Sequence, residues 1–339
     1  MSTPTSDAAP AGAWAAPLAV GVAGCGHFGR YHALKAATGA GARLAGVHDP
    51  NAERARTVGW EAGAPVLSWP ELLAACEAVI IAAPAEAHFT LAEQALLAGR
   101  HVLVEKPIAA TLAEAETLGG LAAERRLVLQ VGHLERFSAA FRALNQHMRQ
   151  PLYIEAIRIA PFKPRGTDVS VVLDLMIHDL DLVLALVDSP IESVDAVGAP
   201  VASANEDIAN ARVRFANGCV ATVTASRISL RTERRMRLFA REGYISVDFV
   251  NRKLFMIGRS EKGTSLPGLE GFAMSESAWE DHDSLAAEHA AFFAAVRGEG
   301  PVVVDAAAGR RALAAALMVA ESMAASRARA VASGLIPAK

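Results

Sequence analysis

Between Leu18 and Val131, short runs of consecutive apolar residues alternate with longer mixed stretches. Leu18–Ala23, Arg43–Val47, Ala78–Ala82, His101–Glu105 and Leu127–Val131 read as buried strands. A strand covered by helices on both faces has no polar side to alternate with, so its run is nearly all apolar. The segments between them carry helix punctuation. Asp49-Pro50 reads as a cap followed by an N1 proline, and Thr111 with Glu114 as a capping box. Such alternation predicts parallel βαβ units. After about residue 150 the rhythm changes. Tyr153–Ala160 alternates like a half-buried strand, and Val171–Val187 reads as one helix. Asp207–Ala216, Cys219–Ile228, Met236–Ala240, Tyr244–Asp248 and Lys253–Ile257 follow as strands, with Asn217-Gly218 as a two-residue hairpin turn. Helices over Ser284–Val296 and Asp305–Arg327 close the chain.

The fold expected is therefore α/β. A doubly wound parallel sheet occupies residues 17–135, and an α+β domain with a mostly antiparallel sheet occupies 136–339. A length of 339 residues agrees with about two domains, and 52% hydrophobic residues supply their cores. Met1 to Ala16, rich in Ala, Pro, Ser and Thr, reads as a disordered tail without the basic and apolar regions of a secretory signal. The net charge of −3 carries no basic excess, so a nucleic-acid partner is not expected. No apolar run is long enough to span a membrane. The three cysteines are odd in number and form no C-x-x-C, and no H-x-x-x-H or H-E-x-x-H occurs. Neither disulfides nor a metal site is expected, and a reducing, cytoplasmic setting follows.

The first strand runs into Gly24-Cys-Gly26-His27-Phe28-Gly29, a G-x-G-x-x-G. A strand before it, a helix over His27–Thr38 after it, and Asp49 at the end of the next strand supply the context of a Rossmann dinucleotide site. Gly24 permits the turn, Gly26 admits the pyrophosphate, and Gly29 lets helix and strand pack closely. The helix N-terminus offers free N–H groups to phosphate. Asp49 can accept both adenosine ribose hydroxyls and would repel a 2′-phosphate, which favours NAD. Arg54 and Arg56 nearby keep NADP as the less favoured alternative. A glycine turn binding no dinucleotide is the plain alternative.

Glu105-Lys106-Pro107 follows the fourth of these strands, where ligands of doubly wound sheets sit. A lysine there can bond a substrate hydroxyl and stabilise an alkoxide. With the glycine loop, Ala83-Pro84 with His88, Gly132-His133 with Arg136-Phe137, Asp174-x-x-x-His178-x-x-Asp181, and Phe292-Phe293 through Ser322, these residues resemble the glucose–fructose oxidoreductase / inositol dehydrogenase / rhizopine-catabolism (Gfo/Idh/MocA) family over about residues 17–330. One departure is Met176, where the family often has glycine.

The resemblance implies that Lys106, Asp174 and His178 are catalytic. His178 takes the hydroxyl proton as hydride moves to the nicotinamide, Asp174 orients His178 or shares its charge, and Lys106 holds the hydroxyl. The cofactor contacts expected are Gly24, Gly26, His27, Phe28, Gly29, Asp49, Ala83, Pro84, His88, Glu105 and Lys106. Lys106, Asp174, His178 and the loop cations Lys163 and Arg165 are the expected substrate contacts. Val131–Phe137 and Asp168–Asp181 further resemble the branch that oxidises the 3-hydroxyl of UDP-N-acetylglucosamine. There the 3-keto product passes to an aminotransferase, towards a diamino sugar of lipid A. Another sugar, a UDP-sugar uronate or an inositol is the alternative substrate, and an NAD(P)-binding sensor the alternative without catalysis. The family also implies a homo-oligomer, dimer or tetramer.

Plainer readings exist. Asp174 and His178 fit an ordinary i, i+4 helix pair, and Lys106 a surface lysine. His27, His32, His101 and His133 each fit a structural histidine, His27 with a possible place near the pyrophosphate. Arg231, Arg234, Arg235 and Arg237 read as a solvated strand edge, with phosphate binding as the minority reading.

Overall fold

The computed structural model describes residues 17–147, 150–163, 169–241, 243–259, 268, 271–280 and 282–336. Strands β1 (Leu18–Ala23), β2 (Ala42–His48), β3 (Ala78–Ile81), β4 (His101–Glu105) and β5 (Leu129–Gly132) form an all-parallel sheet in the order β2-β1-β3-β4-β5. The chain leaves β1 to one side for β2 and returns on its other side for β3. The glycine loop after β1 therefore lies where the strand order reverses, the usual ligand crevice of such sheets. Helices α1 (His27–Thr38), α2 (Ala52–Ala62), α3 (Trp69–Ala75), α4 (Ala85–Leu97) and α5 (Leu112–Arg125) connect the strands.

Two local expectations change. The cap of α2 is Asn51, whose side chain accepts from the Glu53 and Arg54 amides, so Pro50 precedes the cap instead of occupying N1. Asp49 is thereby released from capping and turns to the glycine loop. Strand β5 starts at Leu129 because Arg126 turns left-handed at φ 54° and the Leu127 amide still closes α5 on the Ala122 carbonyl. The capping box of Thr111 and Glu114 forms as expected.

After α6 (Ala139–His147), the second sheet holds β6 (Tyr153–Ile159), β7 (Ile191–Ala199), β8 (Ile208–Phe215), β9 (Val220–Ser226), β10 (Glu233–Ala240), β11 (Gly243–Asp248), β12 (Lys253–Arg259) and β13 (Phe272–Ala278). Their order is β13-β12-β11-β10-β6-β9-β8-β7, antiparallel except for β6 beside β9. Strands β7 and β13, absent from the sequence reading, are the sheet's edges and lack a steadily buried face. Strand β10 begins at Glu233 and is flanked by β6 and β11, so its arginines do not form a solvated edge. Alternation sends Arg234 to the side of buried Met236 and Leu238, and Arg235 and Arg237 to the other.

The expected helix Val171–Val187 is split into a π-helical turn, Val172–Met176, and α7 (Ile177–Val187). Such turns often occur at functional positions, and this one carries Asp174. Helix α7 and α9 (Ala306–Ala332) cover one face of the second sheet, packing Ile177, Leu180, Ala316 and Val319 against Ala211, Val223 and Leu238. The chain then also returns to the first sheet. Phe292 and Phe293 of α8 (Ser284–Val296) pack with Val20 and Val22, and Ala308 and Leu313 of α9 with Val79 and Val131. The other face of the second sheet, which no helix covers among the described residues, carries an aromatic row, Tyr153–Phe239–Tyr244–Phe255, with centroid spacings of 5.7, 4.9 and 6.3 Å.

Candidate active site

Gly24 has φ +93°, and a Cβ there would lie 2.6 Å from the Ala82 carbonyl. A Cβ on Gly29 would lie 1.7 Å from the Gly24 oxygen, whereas one on Gly26 would meet nothing within 4 Å. No side chain caps α1, so its first N–H groups remain available to an anion. Asp49 Oδ2 accepts from the Cys25 amide at 2.6 Å and Oδ1 from the Asn51 amide at 2.7 Å. This fixes the carboxylate beside the loop, and each oxygen keeps a lone pair for a ribose hydroxyl. The open face at Gly26, the uncapped helix and the fixed acid together fit a dinucleotide. We expect Gly29→Ala to lower the melting temperature and to abolish NAD binding. Gly26→Ala should melt like the wild type yet bind NAD at least about tenfold more weakly, roughly 1.4 kcal/mol. Thermal melts and calorimetric titration check both.

A cavity of about 330 Å³ is bounded by the glycine loop, Asp49, Ala83-Pro84, Glu105, Lys106 and Asp174. His27, Phe28 and Arg54 also line it. His88 does not. Its ring is spent on the Pro107 and Ala83 carbonyls, at 2.7 and 2.8 Å, and so ties the two loops together. Lys106 Nζ donates to the Asp174 carbonyl at 2.8 Å and to the Leu173 carbonyl at 3.3 Å. An ammonium has three donors, so one is left for a ligand. Burial lowers the Lys106 pKa, opposed by the charges of Asp174 and Glu105.

His178 is one helical turn beyond Asp174. Its Nδ1 is sealed from solvent without a partner, and no hydrogen bond joins it to Asp174 among the described residues. Burial first, then the charges of Lys106 and Arg158, push its pKa well below 6.5. The ring is neutral at neutral pH, the form that can accept a proton. The other carboxylates of α7 are engaged elsewhere. Asp181 takes Arg136 at 2.6 and 3.0 Å, and Asp179 takes Arg158 at 2.8 and 3.0 Å. Arg158 also reaches Glu135 at 2.9 Å.

Behind Lys106, Glu105 bonds His32 Nε2 at 2.9 Å, and His32 Nδ1 meets His289 Nε2 at 2.9 Å. Burial, then the charge of Glu105, raises the pKa of Glu288, a fully buried acid, well above its ordinary 4.5. Potential ligand atoms of His32, Glu105 and Glu288 fall within 4.8 Å of one another. Both ring nitrogens of His32 are already engaged, so His289, His32 and Glu105 read as a hydrogen-bonded support for the lysine, while both carboxyl oxygens of Glu288 are buried without a partner among the described residues. Lys163 is exposed on the loop after β6, and Arg165 lies outside the described residues.

The crevice at the strand-order reversal, with a lysine and an aspartate converging on it, defines a nicotinamide-dependent oxidoreductase. The chain belongs to the Gfo/Idh/MocA family. Residues 18–133 match the model of its oxidoreductase family NAD-binding Rossmann fold, and residues 141–246 match its C-terminal domain. UDP-N-acetylglucosamine 3-dehydrogenase of Acidithiobacillus ferrooxidans is 45% identical over 304 residues, covering 89% of this chain and 96% of that protein. A crystal structure of that enzyme superposes with a TM-score of 0.86 at 44% identity, covering 91% of this chain and 98% of that one. The scyllo-inositol 2-dehydrogenase (NAD(+)) of Bacillus subtilis is 28% identical over 308 residues, 84% of this chain and 88% of that protein. A Lactobacillus casei scyllo-inositol dehydrogenase, solved with NAD(H) and scyllo-inositol, shares the fold at TM-score 0.76 and 20% identity, over 91% of this chain and 98% of that one.

Proposed function

We propose that this protein oxidises the 3-hydroxyl of UDP-N-acetylglucosamine to the 3-keto sugar, with NAD as acceptor. The observation that carries the reading is the convergence of Lys106 and Asp174 on the dinucleotide crevice, in a chain 45% identical to an enzyme of that activity. When bound, NAD supplies the hydride acceptor at C4 of its nicotinamide. Lys106, held by two backbone carbonyls, donates its remaining N–H as a hydrogen bond to the substrate hydroxyl oxygen and so stabilises the developing alkoxide. His178, neutral by burial, takes the hydroxyl proton. Asp174 sets the charge beside Lys106. Lys163, on the loop after β6, is assigned to contact the substrate, and the sequence assigns Arg165 the same role.

The test is NADH formation from UDP-N-acetylglucosamine, with an aminotransferase and glutamate consuming the keto product. Silence in that assay, with oxidation of inositol or a free hexose, would overturn the substrate. An aminotransferase acting next, towards a lipid A diamino sugar, belongs to the same proposal. So does a cytoplasmic setting, which suits three buried, unpaired cysteines.

Asp49 carries the preference for NAD over NADP. Its fixed carboxylate faces the ribose position and would repel a 2′-phosphate, while Arg54 on the same cavity wall limits the discrimination. Asp49→Ala should narrow the NAD/NADP affinity ratio, read by calorimetry with both dinucleotides. A wild-type preference for NADP would overturn this role. We also assign the aromatic row on the open sheet face to a contact between copies of this chain. Phe239 is 40% exposed there. Phe239→Arg should shift the protein towards monomer in sedimentation velocity.

A further inference from the structure

The geometry points to Arg234 as the residue that grips the diphosphate of a nucleotide-sugar substrate, at the open end of the covered sheet face beside His178. This rests on the UDP-sugar reading above. In the antiparallel pairing of β10 with β6, Arg234 stands directly opposite Arg158, and both point to the covered side. Two guanidinium groups in register repel each other and persist only with an acid between them. That acid is Glu135, and it is unequally shared. Arg158 is fully engaged, with Asp179 on Nε and Nη2 and Glu135 Oε1 on Nη1 at 2.9 Å. Arg234 Nη1 reaches the same oxygen only as an ion pair at 3.5 Å. Its fork makes no hydrogen bond among the described residues.

The two arginines also differ in exposure. The Arg158 side chain is 4% accessible and that of Arg234 is 48%. Arg158 is thus a buried strut, while Arg234 is half-exposed and keeps unspent planar donors. It lies near enough to His178 for its charge to act on that ring. If the sugar C3 sits at Lys106 and His178, the phosphoryl oxygens lie one sugar ring away. A guanidinium with unspent donors matches such oxygens two at a time. Arg235 and Arg237, on the opposite sheet face, pair with Glu233 and Glu155 and take no part.

The experiment compares wild type, Arg234→Ala and Arg234→Lys, with Arg125→Ala removing one positive charge from the last turn of α5 as control. Thermal melts verify folding. Arg234→Ala should raise KM for UDP-N-acetylglucosamine at least about tenfold and leave kcat within about twofold, the mark of lost uniform binding. UDP, as competitive inhibitor, should weaken by the same factor, and NAD affinity should not move. Arg234→Lys should recover part of the loss, since it keeps the charge without the fork. An unchanged KM and UDP inhibition constant in Arg234→Ala would overturn the proposal. So would a fall in kcat at constant KM, which would make Arg234 only an electrostatic neighbour of His178. If the wild type itself ignores UDP-N-acetylglucosamine, the substrate reading fails separately. UDP calorimetry then tests the arginine alone: weaker binding by the variant supports it, and equal binding overturns it.

Discussion

Lys106→Met should lose about 10²–10³-fold in kcat, and His178→Ala about 10²–10⁴-fold, with NAD affinity changed by no more than a few-fold. Two carbonyls of the π turn fix Lys106 Nζ, so methionine removes the donor and keeps the bulk. Neither residue lies on the glycine loop, which separates chemistry from cofactor capture. Stopped-flow hydride transfer together with calorimetry reads both quantities on the same preparation. The pH profile adds a signed check. Burial and surrounding positive charge lower the pKa of His178, so the acid limb of kcat/KM should fall below 6.5, the ordinary histidine value. A limb above it, or wild-type turnover in either variant, would overturn the assigned roles.

Arg158→Met should destabilise the protein by about 3–5 kcal/mol, because it leaves buried carboxylates facing an apolar side chain. Asp179 loses both of its bonds from the Arg158 fork, and Glu135 keeps only the loose pair with Arg234. Burial alone would raise the Glu135 pKa, but the charges of Arg158 and Arg234 hold it below its ordinary 4.5. A depressed carboxylate contributes stability that is whole above 4.5 and is lost as pH falls through its folded-state value. Without Arg158 that contribution shrinks, so the variant should unfold at a higher pH on acidification. Urea denaturation at several pH values measures the shift, and an acid midpoint equal to that of wild type would contradict the account. Glu135→Gln, which removes one acid and keeps the Arg158–Asp179 pair, should cost less.

Legibility in the sequence followed burial. The parallel strands were visible because each is an apolar run with helices on both sides, and the glycine loop because its spacing is a backbone requirement. Strands β7 and β13 were not, since exposed edges leave no alternation to read. The π turn carries no signature in residues 172–176, because one extra backbone residue per turn changes no side-chain type. Asp49 and Asn51 both cap helices well, and only the pull of the Cys25 amide decides between them. At the site, Lys106, Asp174 and His178 could be named from the motifs they stand in. The paired arginines could not be assigned so directly, yet Arg158 carried a signal. It occupies the third inward position of an alternating strand after Ile154 and Ala156, where a charge demands a buried partner. The basic run at β10 concealed Arg234 because the sequence records four arginines, Arg231 before the strand and three within it, and only the alternation separates the inward one.

The return of α8 and α9 to the first sheet bears on how the chain is made. Val20 and Val22 leave a ribosome about 270 residues ahead of Phe292 and Phe293, which cover them. At roughly 5–20 residues per second, about 10–50 s of synthesis separate the two. Throughout that interval one flank of the parallel sheet stays uncovered, and its long-range contacts cannot form. A nascent chain stalled before residue 284 would thus be a client for chaperones, however complete its nucleotide-binding motif.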